Sequence, residues 1–216
     1  MSDDAPVDDP ILGPLNPQQR QAATTVHGPV AILAGAGTGK TTTITHRIAQ
    51  QVATGTFPAT ALLAVTFTEK AARELRARLA NLGVQRVEAR TFHAAALWQL
   101  SRLLPRYEDR DVPKILDSKA PLIASLANAL PPPHKFMPRG ELAGEIEWAK
   151  NRMVPPHAYL EELDRTGHTS PIPAELMEGI YSGYEHRKQR ADRIDFEDML
   201  ALAVQLYRDS PKAAAA

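Results

Sequence analysis

AILAGAGTGKTTTITHRIA, Ala31 to Ala49, passes from an apolar run through a glycine-rich turn into a helix-forming stretch that opens with a lysine and a threonine. A strand, a turn in which Gly35, Gly37 and Gly39 let the backbone come close, and a helix N-terminus together aim unpaired N–H groups at one point. An anion satisfies them. If that anion is a triphosphate, Lys40 reaches its β- and γ-phosphates, and the Thr41 hydroxyl completes the coordination of a Mg²⁺ ion that bridges them. The expected cradle is Ala34, Gly35, Ala36, Gly37, Thr38, Gly39, Lys40 and Thr41, with Lys40 and Thr41 as its chemically active members, Thr41 as the Mg²⁺ ligand, and a nucleoside triphosphate with Mg²⁺ as the bound species. One departure stands out: the strict pattern has glycine six residues before the lysine, and Ala34 is there instead. It is tolerable if only the later glycines approach phosphate.

Outward from this stretch, β-like runs alternate with helical ones, which argues for an α/β fold with a parallel sheet and flanking helices. Val30–Ala34 is the first expected strand, and Ile44, Ile48 and Val52 make one apolar stripe on the helix that follows. LLAVTFT, Leu62–Thr68, is the second strand, followed by a helix with Ala72, Leu75, Leu79 and Leu82 on one face and Gly83 as its stop. RVEARTF, Arg86–Phe92, is the third, followed by the breaker-free helix AAALWQLSRLL. Beyond Pro105 repeated prolines cut the chain into short, mostly helical pieces without strand-like runs, which reads as an α-rich insertion. It ends in a longer helix through EHRKQRADRIDFEDMLALAVQLYR.

Composition narrows the functional classes. Lys plus Arg and Asp plus Glu both number 25, so any nucleic-acid contact must come from a local surface. Cysteine is absent, which removes disulfides, thiolate metal sites and cysteine nucleophiles and points to a reducing cytoplasmic compartment. The acidic, proline-containing start reads as a disordered lead through residue 13. Strand ends are where open α/β sheets contact ligands, so Thr66, Phe67 and Thr68, and Thr91, Phe92 and His93, are candidate contacts. Phe67 offers a stacking face to a base or burial to the core, and His93 a hydrogen bond to phosphate or to the protein itself. Arg187, Lys188, Arg190 and Arg193 suit either phosphate or solvent.

Taken in order, LNPQQRQAA from Leu15, GAGTGKTTTITHRIA, AVTFTEKAARELRARL, TFHAAA and IDFEDML resemble the UvrD/Rep/PcrA family of superfamily 1A DNA helicases, with TFHAAA closest in look to its actinobacterial UvrD-like branch. The resemblance is sharp over Leu15–Trp98 and Ile194–Leu200. It implies a P-loop NTPase (RecA-like) sheet and adds Gln19 as the adenine-reading amide, which has both a donor and an acceptor. It implies that the Thr66–Thr68 and Thr91–His93 segments touch single-stranded DNA. Thr42 joins the nucleotide set at a position where many relatives carry an arginine. Glu69 stands where asparagine is usual.

On this reading residues 14–104 are the N-terminal part of RecA-like domain 1A, 105–190 the helical 1B subdomain, and 191–216 a return helix with a truncated tail. Hydrolysis needs a metal-holding and water-polarising carboxylate pair, commonly Asp-Glu at a strand end. Asp195 and Asp198 read instead as helix-start and packing residues. The expectation is the N-terminal portion of an ATP-dependent 3′-to-5′ DNA helicase acting in repair, weak alone in binding and poor in turnover. Its partners would be single-stranded DNA, single-strand/duplex junctions, the remaining helicase domains, and on 1B a protein the sequence does not identify. Two other readings stay open: a non-motor P-loop NTPase, and a non-catalytic DNA-binding or protein-interaction module with a relic loop.

Overall fold

LAVT and EART are short runs in which alternate residues can face a core, and each is followed at once by a helix-forming segment. In the computed structural model, which describes residues 9–35 and 37–215, they become parallel strands. The lead through residue 8, Ala36 of the expected cradle, and Ala216 lie outside the described residues. The chain divides into two units, Met1–Ala95 and Ala96–Ala216.

The first unit runs α1 (Pro17–Thr24), α2 (Lys40–Ala53), β1 (Leu63–Thr66), α3 (Glu69–Asn81), β2 (Glu88–Thr91) and the start of α4 (Phe92–Tyr107). Strands β1 and β2 pair in parallel from Leu63↔Glu88 to Thr66↔Thr91, so the chain leaves both at the same end of the sheet. The fold is thus mixed α/β with short parallel strands. The expected first strand, Val30–Ala34, has no ladder partner among the described residues, and Leu33 is 97% exposed. A strand-like composition becomes a strand only where a neighbour takes up its N–H and C=O groups.

The core here is small: Ile48, Ala49, Ala64, Leu75, Leu79, Val84, Val87 and Ala89. The expected face of α3 is borne out, with Ala72, Leu75 and Leu79 buried. Helix α2 differs. Ile48 is buried but Ile44 remains 41% exposed, and the deep face is largely polar, with Thr43, Thr45, His46 and Gln51. The two threonine hydroxyls donate to carbonyls of their own helix, a bond open to short hydroxyl side chains. Gln51 donates to the Val26 carbonyl at 2.8 Å, Arg47 to those of Thr25 and Gly28, and the His46 ring nitrogen Nδ1 meets that of Ile11. Polar residues of α2 therefore fasten the preceding chain.

That fastening includes residues 9–13, where the sequence suggested disorder. The Asp9 carboxylate accepts from the N–H groups of Ile11 and Leu12 at 2.9 and 3.0 Å, closing a turn, and these bonds hold the carboxyl below its usual range.

The second unit continues α4 and adds β3 (Lys114–Ile115), α5 (Ala120–Ala127), α6 (Arg139–Asn151), α7 (Tyr159–Thr166), α8 (Ala174–Arg190), β4 (Arg193–Ile194), α9 (Phe196–Asp209) and α10 (Pro211–Ala214). Helix α4 runs through Pro105, whose ring nitrogen has no hydrogen to donate, and the chain stays helical past it, with the Leu104 carbonyl taken by the Glu108 N–H at 2.9 Å. The division between the two units at Ala95/Ala96 falls inside α4. The region is not purely helical either: β3 pairs in parallel with β4. The long terminal helix expected from Glu185 onward is two helices. Asp192, with φ of 51°, turns the chain after α8, and the Asp195 side chain caps α9. The core is aromatic and aliphatic, with Ile123, Leu142, Ile146, Tyr159, Met177 and Tyr184 fully buried.

Candidate nucleotide and nucleic-acid site

The glycine turn meets α2 at Gly39, the helix N-cap, with φ of 88° in the left-handed region; Gly37 has φ of 76°. A side chain at Gly39 would be strained by its φ, and its Cβ, 2.6 Å from the Gln19 amide nitrogen, would push the end of that glutamine side chain aside. No side chain caps α2, so the N–H groups of its first turn remain available to an anion, and the helix dipole favours one. The Lys40 ammonium curls over the turn and donates to the Ala34 and Gly35 carbonyls at 2.7 and 2.6 Å. The Thr38 hydroxyl donates to the Gly35 carbonyl at 2.8 Å. Ala34 contributes its carbonyl to this arrangement and is itself exposed, which explains why a methyl is accommodated where the strict pattern has glycine. Thr41, the second helical residue, is exposed beside Lys40. The donor set fits a phosphate chain, and Thr41 supplies one oxygen of the several a Mg²⁺ ion requires.

Gln19 stands against this turn for a local reason. Asn16 and Gln19 form a capping box on α1: the Gln19 N–H donates to the Asn16 side chain at 2.9 Å, and the Asn16 N–H to the Gln19 side-chain oxygen at 3.2 Å. The other end of the amide donates to the Thr38 carbonyl at 3.1 Å. Both ends of the amide are engaged, linking α1 to the glycine turn. Thr42 takes part in a contact that its sequence position did not suggest: its hydroxyl accepts from Arg78 of α3 at 3.2 Å.

At the outgoing end of the sheet the parallel register sets Thr66 beside Thr91, and the residues that follow come together. The rings of Phe67 and Phe92 lie 5.3 Å apart and tilted by 45°, and Phe67 is 89% exposed, so the choice between core and surface falls to the surface. The hydroxyls of Thr68 and Thr91 each cap a helix, accepting from the N–H groups of Ala71 and Ala94 at 3.1 and 3.2 Å. Each retains a proton to donate. His93 is half-buried in the first turn of α4. Glu69 occupies the first turn of α3, where a carboxylate suits the helix dipole.

The basic run in α8 divides. Arg187 and Arg190 are exposed, with Arg187 donating to the Ser125 hydroxyl, whereas Lys188 is buried. Lys188 meets Glu185, Asp195 and Asp198 at 2.8, 3.2 and 2.5 Å, and Lys150 of α6 meets the same three at 2.8, 2.9 and 2.6 Å. Burial would raise the Asp195 carboxyl, but the Lys150 and Lys188 ammonium groups outweigh it and hold it far below the carboxylate range. Burial would likewise lower Lys150; Asp195, Glu185 and Asp198 hold it above the ordinary lysine value. Asp195 and Asp198 also form a reciprocal capping box on α9. Glu185, Asp195 and Asp198 bring carboxylate oxygens within 4.8 Å of one another, the spacing of a metal centre, but two lysines already supply the counter-charge. Among the described residues no helix is long and apolar enough to cross a membrane.

A glycine turn leading into an uncapped Lys-Thr helix, set in a mixed α/β unit with parallel strands, defines the class of proteins that grip phosphate at a helix N-terminus. The particular family follows from the whole sequence: the chain belongs to the UvrD/REP helicase N-terminal domain family, which matches residues 15–216. It is 42% identical over 203 residues to the ATP-dependent DNA helicase UvrD2 of Mycobacterium tuberculosis (strain ATCC 25618 / H37Rv), covering 89% of this chain and 29% of that protein. It is 35% identical over 205 residues to the ATP-dependent DNA helicase PcrA of Leuconostoc citreum, covering 91% and 26%, and 32% identical over 209 residues to PcrA of Bacillus subtilis (strain 168), covering 94% and 27%. The chain spans under a third of the length of these relatives.

Proposed function

We propose that this chain is the nucleotide-gripping and DNA-contacting portion of an ATP-dependent DNA helicase of 3′-to-5′ polarity, working in DNA repair, with a RecA-like domain 1A before residue 105 and a 1B subdomain over 105–190. The observation that carries the reading is that one compact unit holds both an uncapped Lys-Thr helix behind a glycine turn and an exposed aromatic pair at a parallel sheet's outgoing end. The first suits a triphosphate and the second unpaired bases, whose faces stack on aromatic rings whatever their sequence.

In this assignment the α2 N–H groups and Lys40 hold the phosphates, Thr41 is one ligand of Mg²⁺, and Gln19 offers adenine the second amide hydrogen and the oxygen lone pair that Thr38 and Asn16 leave over. Thr42 lies in the first turn of the phosphate helix without contributing a guanidinium of its own. Bound ATP·Mg²⁺ supplies a phosphoanhydride whose cleavage can be coupled to movement. Phe67 and Phe92 stack bases, while Thr66, Thr68, Thr91 and His93 line the strand ends that meet the DNA backbone. The DNA would be single-stranded or a single-strand/duplex junction, and the remaining helicase domains would close on the same nucleotide.

Lys40→Ala tests the reading. It should weaken ATP·Mg²⁺ binding by at least about tenfold, a loss of roughly 1.4 kcal/mol, without altering the thermal midpoint by more than a degree or two. The same substitution in a chain carrying the further helicase domains should abolish unwinding. The 216 residues alone should hydrolyse ATP poorly; strong DNA-stimulated turnover by them, or unchanged ATP binding in Lys40→Ala, would sink the assignment.

A further inference from the structure

Helix α3 spans the two halves of the candidate site. It starts immediately after Phe67, with Thr68 as its cap, and its third turn carries Arg78. Ten residues of helix separate Thr68 from Arg78, roughly 15 Å along the axis. The helix is seated on the sheet by Ala72, Leu75 and Leu79, so it moves as a rigid piece. Its Arg78 guanidinium is aimed by Glu74 one turn earlier, with Nε and Nη2 donating to one carboxylate oxygen at 3.1 and 2.6 Å. The remaining arm, Nη1, donates to the Thr42 hydroxyl at 3.2 Å. Among the described residues it is the side-chain hydrogen bond that joins α3 to α2. Thr42 follows Lys40 and Thr41 directly on the phosphate-facing first turn.

We infer that Arg78 is a positioning residue that couples nucleic acid at Phe67 to nucleotide at the glycine turn, acting through Thr42. The inference rests on the function proposed above and names the link between its two ligands. An exposed ion pair such as Arg78–Glu74 adds little stability, but anchoring the planar guanidinium through Nε and Nη2 fixes its orientation and so aims an Nη1 donor at Thr42. A ligand that shifts the Phe67 end of α3 moves that donor relative to Thr42, and with it the first turn that faces the phosphates. The coupling must act equally in both directions, because linkage between two binding sites is reciprocal.

The test measures the dissociation constant of ATP·Mg²⁺ by calorimetry on the 216-residue chain, with and without saturating oligo-dT, and that of oligo-dT with and without ATP·Mg²⁺. The wild-type constants should change about fivefold or more when the other ligand is present, within the ordinary range of allosteric coupling. Arg78→Ala should bring that factor close to one while each ligand measured alone keeps its affinity within about twofold, and Thr42→Val should likewise bring the factor close to one. Thr42→Ser, which retains the hydroxyl, should restore the coupling. If Arg78→Ala fails to fold, Arg78→Lys removes the fork, keeps a charge beside Glu74 and should also uncouple. Coupling that persists in these variants overturns the inference. So does a wild type that binds both ligands independently, or an Arg78→Ala variant that loses single-ligand affinity together with the coupling. A wild type that binds neither ligand overturns the proposed function as well, and the two failures are thereby told apart.

Discussion

The two units handle their lysines and carboxylates in opposite ways. In the first, the residues that matter are left open: Lys40 and Thr41 on an uncapped helix, Phe67 almost fully exposed, and a core built largely of alanine and valine. In the second, Lys188 of α8 and Asp195 at the start of α9 are buried, the side chain of Lys150 on α6 is only 8% exposed, and large side chains such as Tyr159, Tyr184 and Met177 fill the core. A charge that is buried, matched and hydrogen-bonded has no capacity left for a ligand. Charge or aromatic surface that stays exposed without a stabilising role is where chemistry can take place. The basic run of α8 shows the point within a single helix, since Lys188 belongs to the scaffold while Arg187 and Arg190 face solvent.

The largest effect that would break this contrast is on stability. Lys150→Met should destabilise the second unit by about 3–5 kcal/mol, because it strands three carboxylates around one remaining ammonium, whereas Lys40→Met in the first unit should change stability little. Denaturant titration of both variants checks the pair. The pH dependence follows from the same network. Asp195 has a folded pKa below its ordinary 3.8, so its contribution is present above that value and is lost as pH falls through it toward the folded one. Lys150 has a folded pKa above its ordinary 10.5, so its contribution is complete below that value and is lost as pH rises through the folded one. Wild-type stability should therefore drop from about pH 4 downward, and Asp195→Asn should start lower at neutral pH and flatten that acid limb.

A smaller effect sharpens the other side of the comparison. Phe67→Ala should weaken oligo-dT binding by roughly 1–3 kcal/mol, the range for removing one stacking partner, while leaving the thermal midpoint near that of the wild type. Loss of stability without loss of affinity would move Phe67 from the site to the core.

How much of this was legible in the sequence depended on whether local chemistry decides the outcome. The glycine turn, the apolar face of α3 and the role of Asp195 at the start of α9 follow from rules acting over a few residues, and all three stand in the structure. Val30–Ala34 failed as a ladder strand because pairing depends on a distant partner. The continuous helix after Glu185 failed because nothing in its apolar periodicity reveals that Asp192 turns left-handed. Burial of Lys188 was invisible for a related reason: its carboxylate partners lie partly beyond the helix, and Lys150 joins them from another. The Arg78–Thr42 contact spans 36 residues and has no signature in either segment. Thr42 raised the absence of a guanidinium but not where one would come from.

The smallest expected effect separates two roles held by one hydroxyl. Thr68 caps α3 by accepting from the Ala71 N–H and keeps a proton that can reach a DNA phosphate. Thr68→Ala removes both functions and should cost about 1 kcal/mol of stability, the usual value of an N-cap, so its effect on DNA cannot by itself be assigned. Thr68→Asp keeps the cap, since aspartate is at least as good there and its charge favours the helix dipole. It also places a carboxylate beside a polyanion. A variant of wild-type stability whose oligo-dT affinity falls, with the deficit shrinking as salt rises and screens the repulsion, locates the DNA backbone at this helix start. Unchanged affinity would leave Thr68 as a cap alone and confine the contact surface to the two phenylalanine rings.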